Sequence, residues 1–162
     1  MELIEIVVSQ LKDVYTGSPW YGKPVRTILR EIMPEKAGVR PDDSSHSVFQ
    51  LAQHMLTWRS YVVEQLKGNE RYQVPIDSEK DWSQTGATSA AEWIELLHAF
   101  DDNQKTLLDL IQKTSTDTFE KQVPGKSYGF KHLIEGIVHH DIYHAGQIVT
   151  TAKVVGAYLP SS

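Results

Sequence analysis

The chain has 162 residues, 40% of them hydrophobic and 23% charged, which excludes disorder and suffices for one domain spanning 1–162 with a real core. A formal net charge of −5 excludes nucleic acid as the main partner, because phosphate neutralisation needs clustered Lys and Arg. With no cysteine there is no disulfide and no thiolate, so a metal would have to be held by His, Asp, Glu or amide groups.

The N-terminal stretch MELIEIVVSQLKDVY carries Glu2 and Glu5 where a signal peptide would be basic. Its apolar residues recur with a helical period, predicting a first long helix over Leu3–Tyr15, with Leu3, Ile6, Val7, Leu11 and Val14 on one side. Gly17, Ser18 and Pro19 stop it, and Trp20 and Tyr21 follow in a loop that either lids a site or is anchored by them. A shorter helical piece, VRTILREIM, runs from Val25 to Met33 and is closed by Pro34.

Ser47 followed by Gln50 is a reciprocal capping pattern, and it opens a second long helix that runs to Leu66 and stops at Gly68. Residues 68–88 are polar, include Pro75 and Gly86, and form a long connection of the kind that crosses a bundle. Its Glu79-Lys80-Asp81 run reads as a solvated face. A third long helix begins at the Ser89 cap and continues to Lys113, its apolar face supplied by Trp93, Leu96, Leu97, Phe100, Leu107, Leu108 and Ile111. A loop containing Pro124 and Gly125 leads to a fourth, from Phe130 to Val155, with Gly156 and Pro160 beyond. No segment sustains a period of two, and no apolar run nears the roughly 20 residues of a membrane span. The expectation is an all-α four-helix bundle with a long crossover between its second and third helices, cytoplasmic, with neither membrane nor nucleic-acid partners.

The fourth helix carries HHDIYHAGQ, with three of the chain's seven histidines within six positions. At about 100° per residue, His144 falls about 40° to one side of His140 and Gln147 about 20° to the other. The three make one polar stripe beside the apolar arc of Leu133, Ile134, Ile137, Val138, Ile142, Ile148 and Val149, while His139 lies about 100° away. Histidines at i and i+4 bring both rings to one ion. HDIYH also resembles the metalloprotease helix HEXXH, with Asp141 in place of Glu. That side chain is one methylene shorter, and no third ligand follows it along the chain.

On the second helix, LAQHMLTW sets His54 among Leu51, Met55 and Trp58. Two readings stand there: a core histidine, or a third ligand if the second and fourth helices face each other. Trp58 is likewise core or pocket wall. Asp141 makes either an ion pair with a neighbouring helix or a hydrogen bond that supports a ligand, and Gln147 is placed to bond a ligand or a bound water. Gly136 and Gly146 imply close helix approach or space above the site, whereas His46, His98 and His132 read as surface or packing residues.

Taken together, SPWYGKPVRTILREI, HSVFQLAQHMLTWRSYV, TSAAEWIELLHAF and GIVHHDIYHAGQI resemble the DinB-like (DinB/YfiT) superfamily of metal-binding four-helix bundles over nearly the whole chain. The resemblance implies a metal triad of His54, His140 and His144, with Zn or Ni as the suited ion and a fourth position open. It also implies either a thiol-dependent transferase using an external low-molecular-weight thiol (bacillithiol, mycothiol or glutathione) or a metal-dependent hydrolase. A small-molecule substrate and a homodimer are expected. The rival is a non-catalytic, stress-related bundle in which the metal only staples helices.

Overall fold

A computed structural model describes residues 2–84 and 89–159. These form α1 (Glu2–Tyr15), α2 (Val25–Arg30), α3 (Val48–Leu66), α4 (Ala90–Lys113), α5 (Thr116–Glu120) and α6 (Phe130–Val154), with a 3-10 turn at Pro34–Lys36. The protein is all-α: the described residues contain no strand, and extended pairing is confined to single bridges between Ile32 and Tyr158 and between Gln122 and Gly129. No helix among them is long and apolar enough to cross a membrane.

The starts of α3 and α4 follow from their caps. Gln50 donates its backbone N–H to Ser47 Oγ at 3.2 Å, and its side-chain oxygen accepts from the Ser47 amide at 3.1 Å. Ser89 and Glu92 repeat the arrangement at α4, which satisfies amide donors that a helix start otherwise leaves free. Gly68 and Gly156, at φ 79° and 64°, end α3 and α6 in a backbone conformation that a side chain would strain. Gly86 and Pro160 lie outside the described residues.

Three local expectations change. α2 stops at Arg30 and not at Met33, because Ile32 pairs with Tyr158 and the Met33 amide donates to Ala157 O at 2.8 Å, so tertiary pairing replaces further helix. Ile6 is 48% exposed; the buried face of α1 is Val7, Val8, Leu11, Val14 and Tyr15. α5 is an extra helix of five residues, too short to show a period, that buries Phe119.

α3 packs against both α4 and α6, and α1 also packs against both. Trp93, Phe100, Leu107 and Ile111 of α4, Ile134, Ile137 and Ile148 of α6, and Leu51 and Met55 of α3 are buried in the shared core. Each such side chain stabilises the packing by about 1.5–3 kcal/mol. This apolar contact between α3 and α6 sets the histidines of the two helices opposite one another.

Candidate metal centre

His54 of α3 and His140 and His144 of α6 converge. Their ring centroids lie 5.0 Å (His54–His140), 4.6 Å (His54–His144) and 4.3 Å (His140–His144) apart. One potential ligand atom from each falls within 4.8 Å of the others. Nε2 of His54 and Nε2 of His140 are 3.1 Å apart. Two nitrogens held about 2.1 Å from one tetrahedral ion would be roughly 3.4 Å apart, so the spacing suits a shared divalent ion.

The protonation states fit as well. Burial, reinforced by the neighbouring imidazoles, pushes His140 down to about 3, and burial pushes His144 down to about 4. Both rings are therefore neutral at pH 7 and carry a lone pair. His144 Nδ1 lies 2.6 Å from Gln147 Oε1, an acceptor, so the proton sits on Nδ1 and Nε2 is bare. Gln147 in turn donates to Tyr143 Oη at 3.2 Å. His140 Nδ1 is buried with no hydrogen-bond partner, a polar atom left over from the protein's own bonding. The group is compatible with holding a divalent ion.

A cavity of about 1040 Å³ opens in front of the cluster. Its walls include Trp58, Trp82 and Tyr143, with Ser45, Thr150 and Thr151 as polar points. A side-chain carbon at Gly146, which lines this cavity, or at Gly136, which lines a smaller one of about 230 Å³ behind Trp58, would meet no neighbouring atom within 4 Å. Of the two readings of these glycines, the structure has space beside the site and not close helix approach.

The model of the DinB superfamily matches residues 24–148, a span that contains all three histidines. The chain belongs to the DinB superfamily. Comparison with curated proteins and with solved structures returns no significant match.

Within this DinB-superfamily chain, the other residues singled out by the sequence distribute as follows. His139 is exposed and lies outside the cluster, as the helical angle requires. The Asp141 carboxylate accepts from Arg59 Nε at 2.9 Å and is fully buried, so of its two readings the interhelical ion pair is realised. Trp20 is 96% exposed and neither lids the cavity nor anchors its loop. His98 and His132 are exposed.

One expectation is corrected. Asp81 is not on a solvated face but 3% exposed, with a carboxylate oxygen 2.9 Å from His54 Nδ1. Of the two readings of His46 the packing one is realised: it stacks on Trp82 at 3.8 Å, and it also lines the cavity. Trp82 also stacks on His54, at 3.9 Å. The available signal was Trp82 itself: a large aromatic inside a polar connection marks a place where that connection must be buried.

Proposed function

We propose that the four long helices α1, α3, α4 and α6 form one four-helix-bundle domain, crossed over by residues 68–88, that holds Zn²⁺ or Ni²⁺ through His54, His140 and His144. We read the protein as a metal-dependent enzyme of the thiol-dependent transferase type. The observation that carries this reading is the convergence of three imidazoles on the floor of an open cavity. Among the described residues the cluster has three members, which favours a catalytic centre with a free position over a closed structural site of four ligands. A bound divalent ion lowers the pKa of a thiol or water that reaches it.

The chain's own residues then have distinct tasks. Three side chains from two helices hold the ion, so its site exists only when α3 and α6 are docked. Gln147 fixes the proton of His144 away from the ion. Trp58 and Tyr143 offer aromatic surface to the body of a small substrate. Tyr143 Oη accepts from Gln147, which leaves its own O–H to donate into the cavity. Since the chain has no cysteine, the thiol must arrive from outside.

Elemental analysis of the purified chain tests the metal: wild type and His139→Ala carry one ion, and His54→Ala, His140→Ala and His144→Ala carry none. Retention of stoichiometric metal by the triple variant rejects the centre. A panel of bacillithiol, mycothiol and glutathione with an electrophile, run with and without added metal, tests the chemistry. Metal-dependent ester or amide cleavage without thiol dependence replaces the transferase by a hydrolase.

A further inference from the structure

Asp81 sits in the connection between α3 and α4, yet its carboxylate is withdrawn from water. Burying a carboxylate costs several kcal/mol unless hydrogen bonds replace its hydration. Here they do. Oδ1 accepts from Trp58 Nε1 at 2.8 Å and lies 2.9 Å from His54 Nδ1, while Oδ2 accepts from the Asp77 amide at 2.9 Å. The backbone carbonyl of Asp81 also lies 3.1 Å from His54 Nδ1. Two acceptors facing one ring nitrogen require that nitrogen to carry a proton, so Nε2 is the nitrogen left to reach an ion.

The connection is shaped to deliver this group. Asp77 takes a left-handed φ of 60°, and the amides of Asp81 and Trp82 both donate to Ser78 O, at 3.0 and 2.8 Å. The tight turn points Asp81 at the edge of His54 and lays Trp82 flat on its face, with rings 8° from parallel. His46 covers the far face of Trp82 at 7°. Gln50 Nε2 donates to Ser83 O at 2.7 Å, so the residue that caps α3 also ties the connection down.

We propose that Asp81 is the positioning residue of the centre: it clamps His54 with the proton on Nδ1 and aims Nε2 at the point shared with His140 and His144. This rests on reading the triad as a metal centre. If the connection only had to be pinned to α3, an apolar side chain would do so without a buried charge. What the carboxylate adds is control of the ring's proton and orientation and a more basic Nε2, as carboxylate–imidazole pairs do at metal centres. Local rules are broken in this way where function requires it. Gln147 gives His144 the same support from within α6, so two of the three rings are set by partners outside the ligand group.

The test uses the full-length chain, zinc in competition with a chromophoric chelator, and the ligand-field spectrum of the Co²⁺-loaded protein. Asp81→Ala weakens zinc about 10- to 100-fold and shifts the cobalt bands. Asp81→Asn keeps the size of the side chain and an accepting oxygen, and falls between Asp81→Ala and wild type. An Asp81→Ala chain with wild-type affinity and spectrum overturns the proposal whatever its thermal stability, since Asp81 would then only hold the connection. So does an Asp81→Asn chain as weak as Asp81→Ala. Wild type that takes up no zinc, or His54→Ala that binds it as well as wild type, removes the metal reading itself and this proposal with it.

Discussion

Arg59 and Asp141 meet as an ion pair in the protein interior, a guanidinium nitrogen 2.7 Å from a carboxylate oxygen, with neither side chain exposed. Arg59 Nη1 also donates to Gln104 Oε1 at 2.9 Å, and Gln104 Nε2 donates to Leu11 O at 3.0 Å. The network thus joins α3, α6, α4 and α1. Because Asp141 follows His140 directly, the pair also sets the rotation of α6 against α3, and with it the meeting of the histidines. Removing one partner strands a buried charge, so Asp141→Ala lowers stability by about 3–5 kcal/mol. The double variant Arg59→Met with Asp141→Leu recovers most of that loss. Denaturant midpoints check this, and a double variant no more stable than Asp141→Ala would contradict it.

Gln147 supports His144 through one short hydrogen bond. Gln147→Ala weakens metal binding about tenfold, the low end for loss of a partner to a ligating imidazole. Gln147→Glu, which keeps an accepting oxygen, restores it. Chelator competition on both variants reads the difference, and equal affinities in Gln147→Ala and wild type would show the bond to be incidental.

Gly136 and Gly146 occupy helix positions with open space beside them. Alanine at either raises stability by up to about 1 kcal/mol, since only the helical cost of glycine is removed. Gly146→Leu keeps the fold and the metal but fills part of the large cavity, and so lowers turnover or binding of bulky ligands. Thermal unfolding with metal analysis separates the two effects; loss of metal in Gly146→Leu would mean that this position touches the centre.

Asp101 receives two hydrogen bonds from Arg26, at 2.7 and 2.9 Å, and one from Tyr15 Oη at 2.8 Å. The Arg26 hydrogen bond is the largest influence holding its carboxyl below the usual range. A carboxyl with a depressed folded pKa contributes stability above its unfolded value of about 3.9, and the contribution fades as pH falls through the folded one. The stability gap between wild type and Asp101→Asn is therefore full at neutral pH and closes in acid. Urea midpoints from pH 7 to pH 3 measure it. High salt narrows the gap, because the pair is partly open to solvent. A gap that widens in acid would reverse the assignment.

The four long helices could be read from local signals alone. Periodicity marked their faces, Ser47 and Ser89 their starts, and Gly68 and Gly156 two of their stops, because these features depend on residues no more than a turn apart. The stripe of His140, His144 and Gln147 and the exclusion of His139 were equally local, being consequences of 3.6 residues per turn. Whether His54 was core or ligand was not. Its apolar neighbours are compatible with both, and only the packing of α3 on α6 brings its Nε2 within 3.1 Å of His140. Asp81 was still further from reach: in the chain it stands in a charged run like any solvated loop, and only the turn at Asp77 and the anchoring of Ser83 by Gln50 carry it inside. Helix identity and the face a residue occupies are set within one turn of chain. Which faces meet, and which loop closes over them, depends on contacts between residues 27 to 86 positions apart, for which local spacing holds no signal.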